Sequence, residues 1–123
     1  MSKMTFEEIE MVGKAASVAD FLNYSIRDDG VYVETGSARG ASGYLWNPLL
    51  DDGDALRLAI TLRMGISIPL MKVPRIDVIT FMHPLINVIE TDQNGDLNAT
   101  TRRAITKMAV KIAEHRFKNN TPN

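Results

Sequence analysis

The sequence contains no cysteine, which excludes a disulfide framework, a thiolate metal site and catalysis by a cysteine nucleophile. That fits a reducing compartment. Histidine occurs only at His83 and His115, so a transition-metal site would need both of them plus carboxylates from distant elements. No stretch approaches the roughly 18 apolar residues of a membrane span. The opening MSKMTFEEIEMVGK has no basic region followed by an apolar core, as a secretory signal requires. The expectation is a cytosolic protein without membrane contact. No Gly-x-Ser-x-Gly elbow is present, and the glycine-rich GSARGASG lacks the Lys-Ser/Thr ending of a phosphate loop. Its composition suits a flexible linker. Asp92, Asn94, Asp96 and Asn98 alternate as in a calcium loop, but the glycine is misplaced and Arg103 stands where the closing Glu belongs.

What is present is ordinary for a folded domain. With 123 residues, 45% of them hydrophobic and 24% charged, the chain can bury one core and does not suit two domains. The expected domain spans 1–118, with 119–123 as a frayed tail. The formal net charge is −1, yet it is unevenly spread. From Arg102 to Lys118, six basic residues face Glu114 alone, giving +5, and the remainder carries −6. Such polarity attracts an anion locally while the molecule stays near neutral.

Local signals predict the elements. Thr5 and Glu8 form a capping box, so a helix is expected over Phe6–Ala16. NYSIR and VYVET flank Asp28, Asp29 and Gly30 and read as a hairpin. Pro48 stops an extended segment, and Asp51 or Asp52 caps a helix reaching about Met64, ended by Gly65. In that helix Ala55, Leu58, Ala59 and Leu62 recur as one buried stripe, which leaves Arg57 on the far side. Two or three strands follow between Ile66 and Thr91, interrupted by Pro69, Pro74 and Pro84. Asn98 or Thr100 then caps a closing helix that runs to about Phe117. The order predicts an α+β domain in which helices cover a mainly antiparallel sheet.

Most reactive-looking groups have bland explanations. Asp51, Asp52 and Asp54 suit the positive end of a helix dipole, and Trp46 suits a core or interface. Arg102 and Arg103 are different if they fall in the first turn of the closing helix, because guanidinium groups would join free N–H groups in attracting an anion.

The segments WNPLLDDGDALRLAI and ATTRRAITKMAVKIAE resemble the two signature segments of the small phage proteins of the ABA-sandwich domain family. That resemblance implies an α/β/α sandwich encoded by a bacteriophage or prophage and acting in the host cytoplasm. The chain is also similar to the nucleotide sponges of the first Thoeris anti-defence type. This likeness implies a homo-oligomer that captures a cyclic ADP-ribose-type immune signal without degrading it. Its implied ligand contacts fall on Arg57, Phe81, Asn94, Asp96 and Arg102 or Arg103. The expected roles are phosphate pairing by Arg57, Arg102 and Arg103, base stacking by Phe81 or Trp46, and ribose bonding by Asn94 or Asp96. Such capture requires no cofactor, metal or catalytic group. The competing readings are a nucleic-acid or host-protein binding module using the basic last helix, and a structural phage protein.

Overall fold

Thr5 opens the first helix through the reciprocal pair that the sequence predicts. Its hydroxyl accepts from the Glu8 N–H at 3.1 Å, and the Glu8 carboxylate accepts from the Thr5 N–H at 2.8 Å. In this computed structural model, which describes residues 4–21, 23–34, 43–69, 74–80, 86–92 and 95–120, the helix is α1 (Phe6–Ala16). It coincides with the expected span. The hairpin follows as β1 (Asn23–Arg27) and β2 (Gly30–Glu34), with Arg27 paired to Gly30 across Asp28 and Asp29. Gly30 has φ +150°, a backbone conformation that favours glycine.

A short strand, β3 (Tyr44–Trp46), adds to β2 and precedes α2 (Asp52–Thr61). The Asp51 side chain caps α2 by accepting from the Asp54 N–H at 2.8 Å. The predicted stripe is confirmed, since Ala55, Leu58, Ala59 and Leu62 are all buried. The predicted end is not. Helix α2 stops at Thr61, and the left-handed residue is Arg63 at φ +56° instead of a glycine. Gly65 lies within β4 (Met64–Ser67), opposite Ile79. Strand pairing thus holds Gly65 extended and moves the reversal two residues earlier, at a cost of about 1–2 kcal/mol for a non-glycine residue.

Strands β5 (Arg75–Thr80) and β6 (Ile86–Thr91) complete a second antiparallel sheet, ordered β4-β5-β6; the first is ordered β1-β2-β3. The architecture is α+β, with antiparallel strands packed against helices, as expected; the strands divide into two sheets of three. Alternation supplies the inner faces, with Val31 and Val33 from one sheet and Ile76, Val78 and Val88 from the other buried.

The last helix, α3 (Leu97–Asn120), connects these parts. It touches α1 and α2 as well as β5 and β6, while α1 bears on β1 and β2. Its buried stripe is Ala104, Ile105, Met108, Ala109, Ile112 and Ala113. Alanines in that stripe let neighbouring elements approach closely. The cap is neither Asn98 nor Thr100. Asp96 accepts from the Ala99 N–H at 3.0 Å, and its own N–H donates to the Asp92 carboxylate at 3.1 Å. The helix therefore begins earlier than predicted, and it continues through Asn120, past the predicted end at Phe117.

Candidate functional site

A partly enclosed cleft of about 210 Å³ is lined by Asp20, Phe21, Tyr44, Trp46, Arg57, Thr61 and neighbouring apolar atoms. Each wall has a local cause. Tyr44 and Trp46 stand two apart on β3 and so share one face of the sheet. Phe21 comes from the link after α1, its ring edge-on to Trp46 at 5.0 Å and 78°. Trp46 is only 1% exposed and backs the cleft from within the core, whereas Tyr44 is 42% exposed and faces the opening. Arg57 and Thr61 are four apart on α2 and lie on one helical face.

Arg57 is anchored at one end. Its Nη2 donates to Asp54 Oδ1 at 2.9 Å, and the other carboxylate oxygen, Oδ2, accepts from the Asn47 N–H at 2.9 Å. The Arg57 side chain is 66% exposed, while that of Asp54 is 7% exposed. The hydrogen bond that Arg57 donates to Asp54 is the main reason that its pKa is raised above its ordinary value, and proximity to the carboxylate adds to it. The Tyr44 hydroxyl is also raised, first by desolvation and then by the Asp54 carboxylate. The cleft therefore presents a permanent cation above a neutral phenol.

Arg102 has a different setting. Its Nε donates to the Leu49 carbonyl at 2.9 Å and its Nη1 to Asp52 Oδ1 at 2.6 Å, with the side chain 16% exposed. It lines a separate, largely apolar groove with Leu56, Ile66, Ile68 and Ile105. Helical geometry puts Ala55 and Leu56 on one flank of α2 and Leu58 and Thr61 on the other, so α2 separates Arg102 from Arg57. Arg103 is exposed on α3.

The earlier start of α3 changes the argument for these two arginines. They lie in its second turn, and Asp96 occupies its N-terminus. The dipole effect fades beyond the first turn, so no convergence of guanidinium and free N–H groups arises there. Asp96 uses its carboxylate as a cap. Phe81 and Asn94 lie outside the described residues, as do His83 and the glycine-rich stretch over 36–42. The structure thus joins Arg57 with Trp46 and places Arg102 elsewhere. Part of the basic helix is also internally neutralised, because Lys107 Nζ meets Glu90 Oε2 at 2.9 Å. Among the described residues, no group of three His, Asp or Glu side chains is arranged to hold a metal ion.

Sequence reasoning missed Phe21, Tyr44, Thr61 and Asp20. Tyr44 was accessible to it, since it shares a strand face with Trp46. Asp20 and Phe21 reach the cleft only through tertiary packing. No protein-family model, curated protein or solved structure matches this chain.

Proposed function

We propose that the protein captures a small anionic ligand of the nucleotide class in the Arg57 cleft and holds it without altering it. The observation that carries this reading is the half-committed Arg57: one guanidinium edge is fixed by a buried carboxylate, and the rest is exposed above an aromatic cleft. A cleft of about 210 Å³ suits a single base, which leaves sugar and phosphate at the rim where Arg57 stands. Base stacking falls to Tyr44, since Trp46 has little free surface. Asp20 is placed to accept from a base amino or ribose hydroxyl group. Sequestration of a cyclic nucleotide or cyclised ADP-ribose, the role implied by the likeness to phage anti-defence sponges, needs only these binding interactions.

Calorimetry with ADP-ribose, a cyclised ADP-ribose and cyclic AMP tests this proposal. Saturable binding of at least one, followed by release of the unchanged compound on denaturation, is the expected result. Absence of heat with all three would reject nucleotide capture. Release of a converted product would replace it with catalysis.

A further inference from the structure

Among the described residues, the order β1-β2-β3 leaves one side of β1 without a strand, and all five residues of β1 are exposed. Which backbone groups face that open side follows from register. The pair closing a two-residue hairpin is hydrogen-bonded, and bonding alternates along an antiparallel ladder. Arg27, Ser25 and Asn23, opposite Gly30, Tyr32 and Glu34, therefore bond to β2. The N–H and C=O groups of Tyr24 and Ile26 point outward and form a template for another strand.

The other edges suit a self-pairing role less well. Strand β3 has three residues and is followed by Pro48, and β4 has four and runs toward Pro69. Strand β6 is longer, but pairing it with itself about Val88 or Ile89 sets Glu90 opposite an apolar side chain, and Glu90 is engaged by Lys107.

We propose that β1 pairs antiparallel with β1 of a second copy of this chain, about a two-fold axis at Ser25. In this register each Tyr24 lies opposite the partner's Ile26, and their outward groups form four backbone hydrogen bonds. Aromatic and β-branched side chains make favourable cross-strand pairs. On the other face Asn23 stands opposite the partner's Arg27. Asn23 Nδ2 donates to Glu34 Oε2 at 3.3 Å, and Arg27, whose Cζ lies 4.1 Å over the Tyr32 ring of its own hairpin, would turn outward in the dimer to meet the partner's Glu34 carboxylate. The charges are complementary, and symmetry repeats the arrangement. An apolar margin borders the same edge. Ile26 packs against α1, where a Cβ on Gly13 would lie 2.8 Å from its Cδ1. Phe6, seven residues before Gly13 and on the same helix face, is 78% exposed. Pairing joins two three-stranded sheets into one of six strands and is independent of the Arg57 cleft.

The absence of native cysteine makes a selective test available. At a non-hydrogen-bonded pair the two Ser25 Cα atoms would lie about 4.5 Å apart, within disulfide reach. Under mild oxidation Ser25→Cys should convert mostly to a cross-linked dimer. Asn23→Cys should not, because the two copies of residue 23 would be separated by roughly 14 Å along the strand. Sedimentation of the full chain supplies an independent readout. Arg27→Glu should weaken self-association at least tenfold, and adding Glu34→Arg should restore it, with circular dichroism confirming the fold of each variant. A monomer at all concentrations, equal cross-linking at both positions, or no effect of Arg27→Glu would overturn the proposal.

Discussion

Arg57 and Arg102 lie on opposite flanks of α2, and both pair with an aspartate of that helix. Their surroundings give these pairs different meanings. Arg102 is mostly buried, bonds to the Leu49 carbonyl and joins α3 to the start of α2. Two of its three guanidinium nitrogens are committed to structure. For Arg57 the burial is reversed, with the carboxylate inside and the guanidinium outside. The aspartate orients the cation while most of its surface remains open. Residue type and net charge do not distinguish the two roles; the location of the partner does.

The largest expected effect removes the support behind the cleft. Trp46→Ala should cost about 3–5 kcal/mol, as for other buried aromatic truncations, read as a large drop in the urea midpoint. Arg102→Ala should cost about 1.5–3 kcal/mol, through loss of hydrogen bonds involving a charged group, and leave nucleotide affinity nearly unchanged. Arg57→Ala should do the opposite. Its stability loss should stay under about 1 kcal/mol, because the guanidinium is exposed and screened even though the change removes a partner of the buried Asp54 carboxylate, while calorimetry should show at least a tenfold loss of affinity. Similar stability losses for the two arginine variants would erase the contrast.

The smallest effect concerns pH. Tyr44 is raised by desolvation and by Asp54, so the unfolded chain loses that proton first. Above a pH of about 10 the native state holds more protons than the unfolded one, and stability falls as pH rises. The melting temperature should decline there, and Tyr44→Phe should flatten the decline. Tyr32, raised mainly by its hydrogen bond to Asp29, supplies a further part that Tyr44→Phe leaves in place.

Elements governed by adjacent residues were readable from the sequence. The Thr5–Glu8 box sets the start of α1, and the two-residue reversal before Gly30 sets the first hairpin. The α2 stripe likewise follows from periodicity. The start of α3 was harder, because DQNGDLNATT offers several capping residues in succession. The choice of Asp96 is supported from outside that segment. Asp92 donates its N–H to the Pro74 carbonyl at 2.9 Å and accepts from the Asp96 N–H. A long-range strand contact therefore helps to fix the cap. The end of α2 has a similar cause, since pairing of Gly65 with Ile79 overrides the local preference for glycine at a left-handed position.

For the site, helical periodicity pointed to the outward face of Arg57, and the burial tendency of tryptophan pointed to a core or interface place for Trp46. The equivalence assumed among Arg57, Arg102 and Arg103 was not resolved by sequence, because it depends on which carboxylates and carbonyls the fold brings into reach. Phe21 was invisible for the same reason, as its contact with Trp46 joins segments 25 residues apart in sequence.

The protein has a single tryptophan, and it backs the Arg57 cleft. Fluorescence titration with ADP-ribose or a cyclised ADP-ribose therefore reports on that cleft directly. A saturable change in Trp46 emission is expected for the unmodified chain and for Arg102→Ala, with at least a tenfold weaker midpoint for Arg57→Ala. No saturable change with either compound, or equal midpoints for Arg57→Ala and the unmodified chain, would contradict the assignment of the cleft.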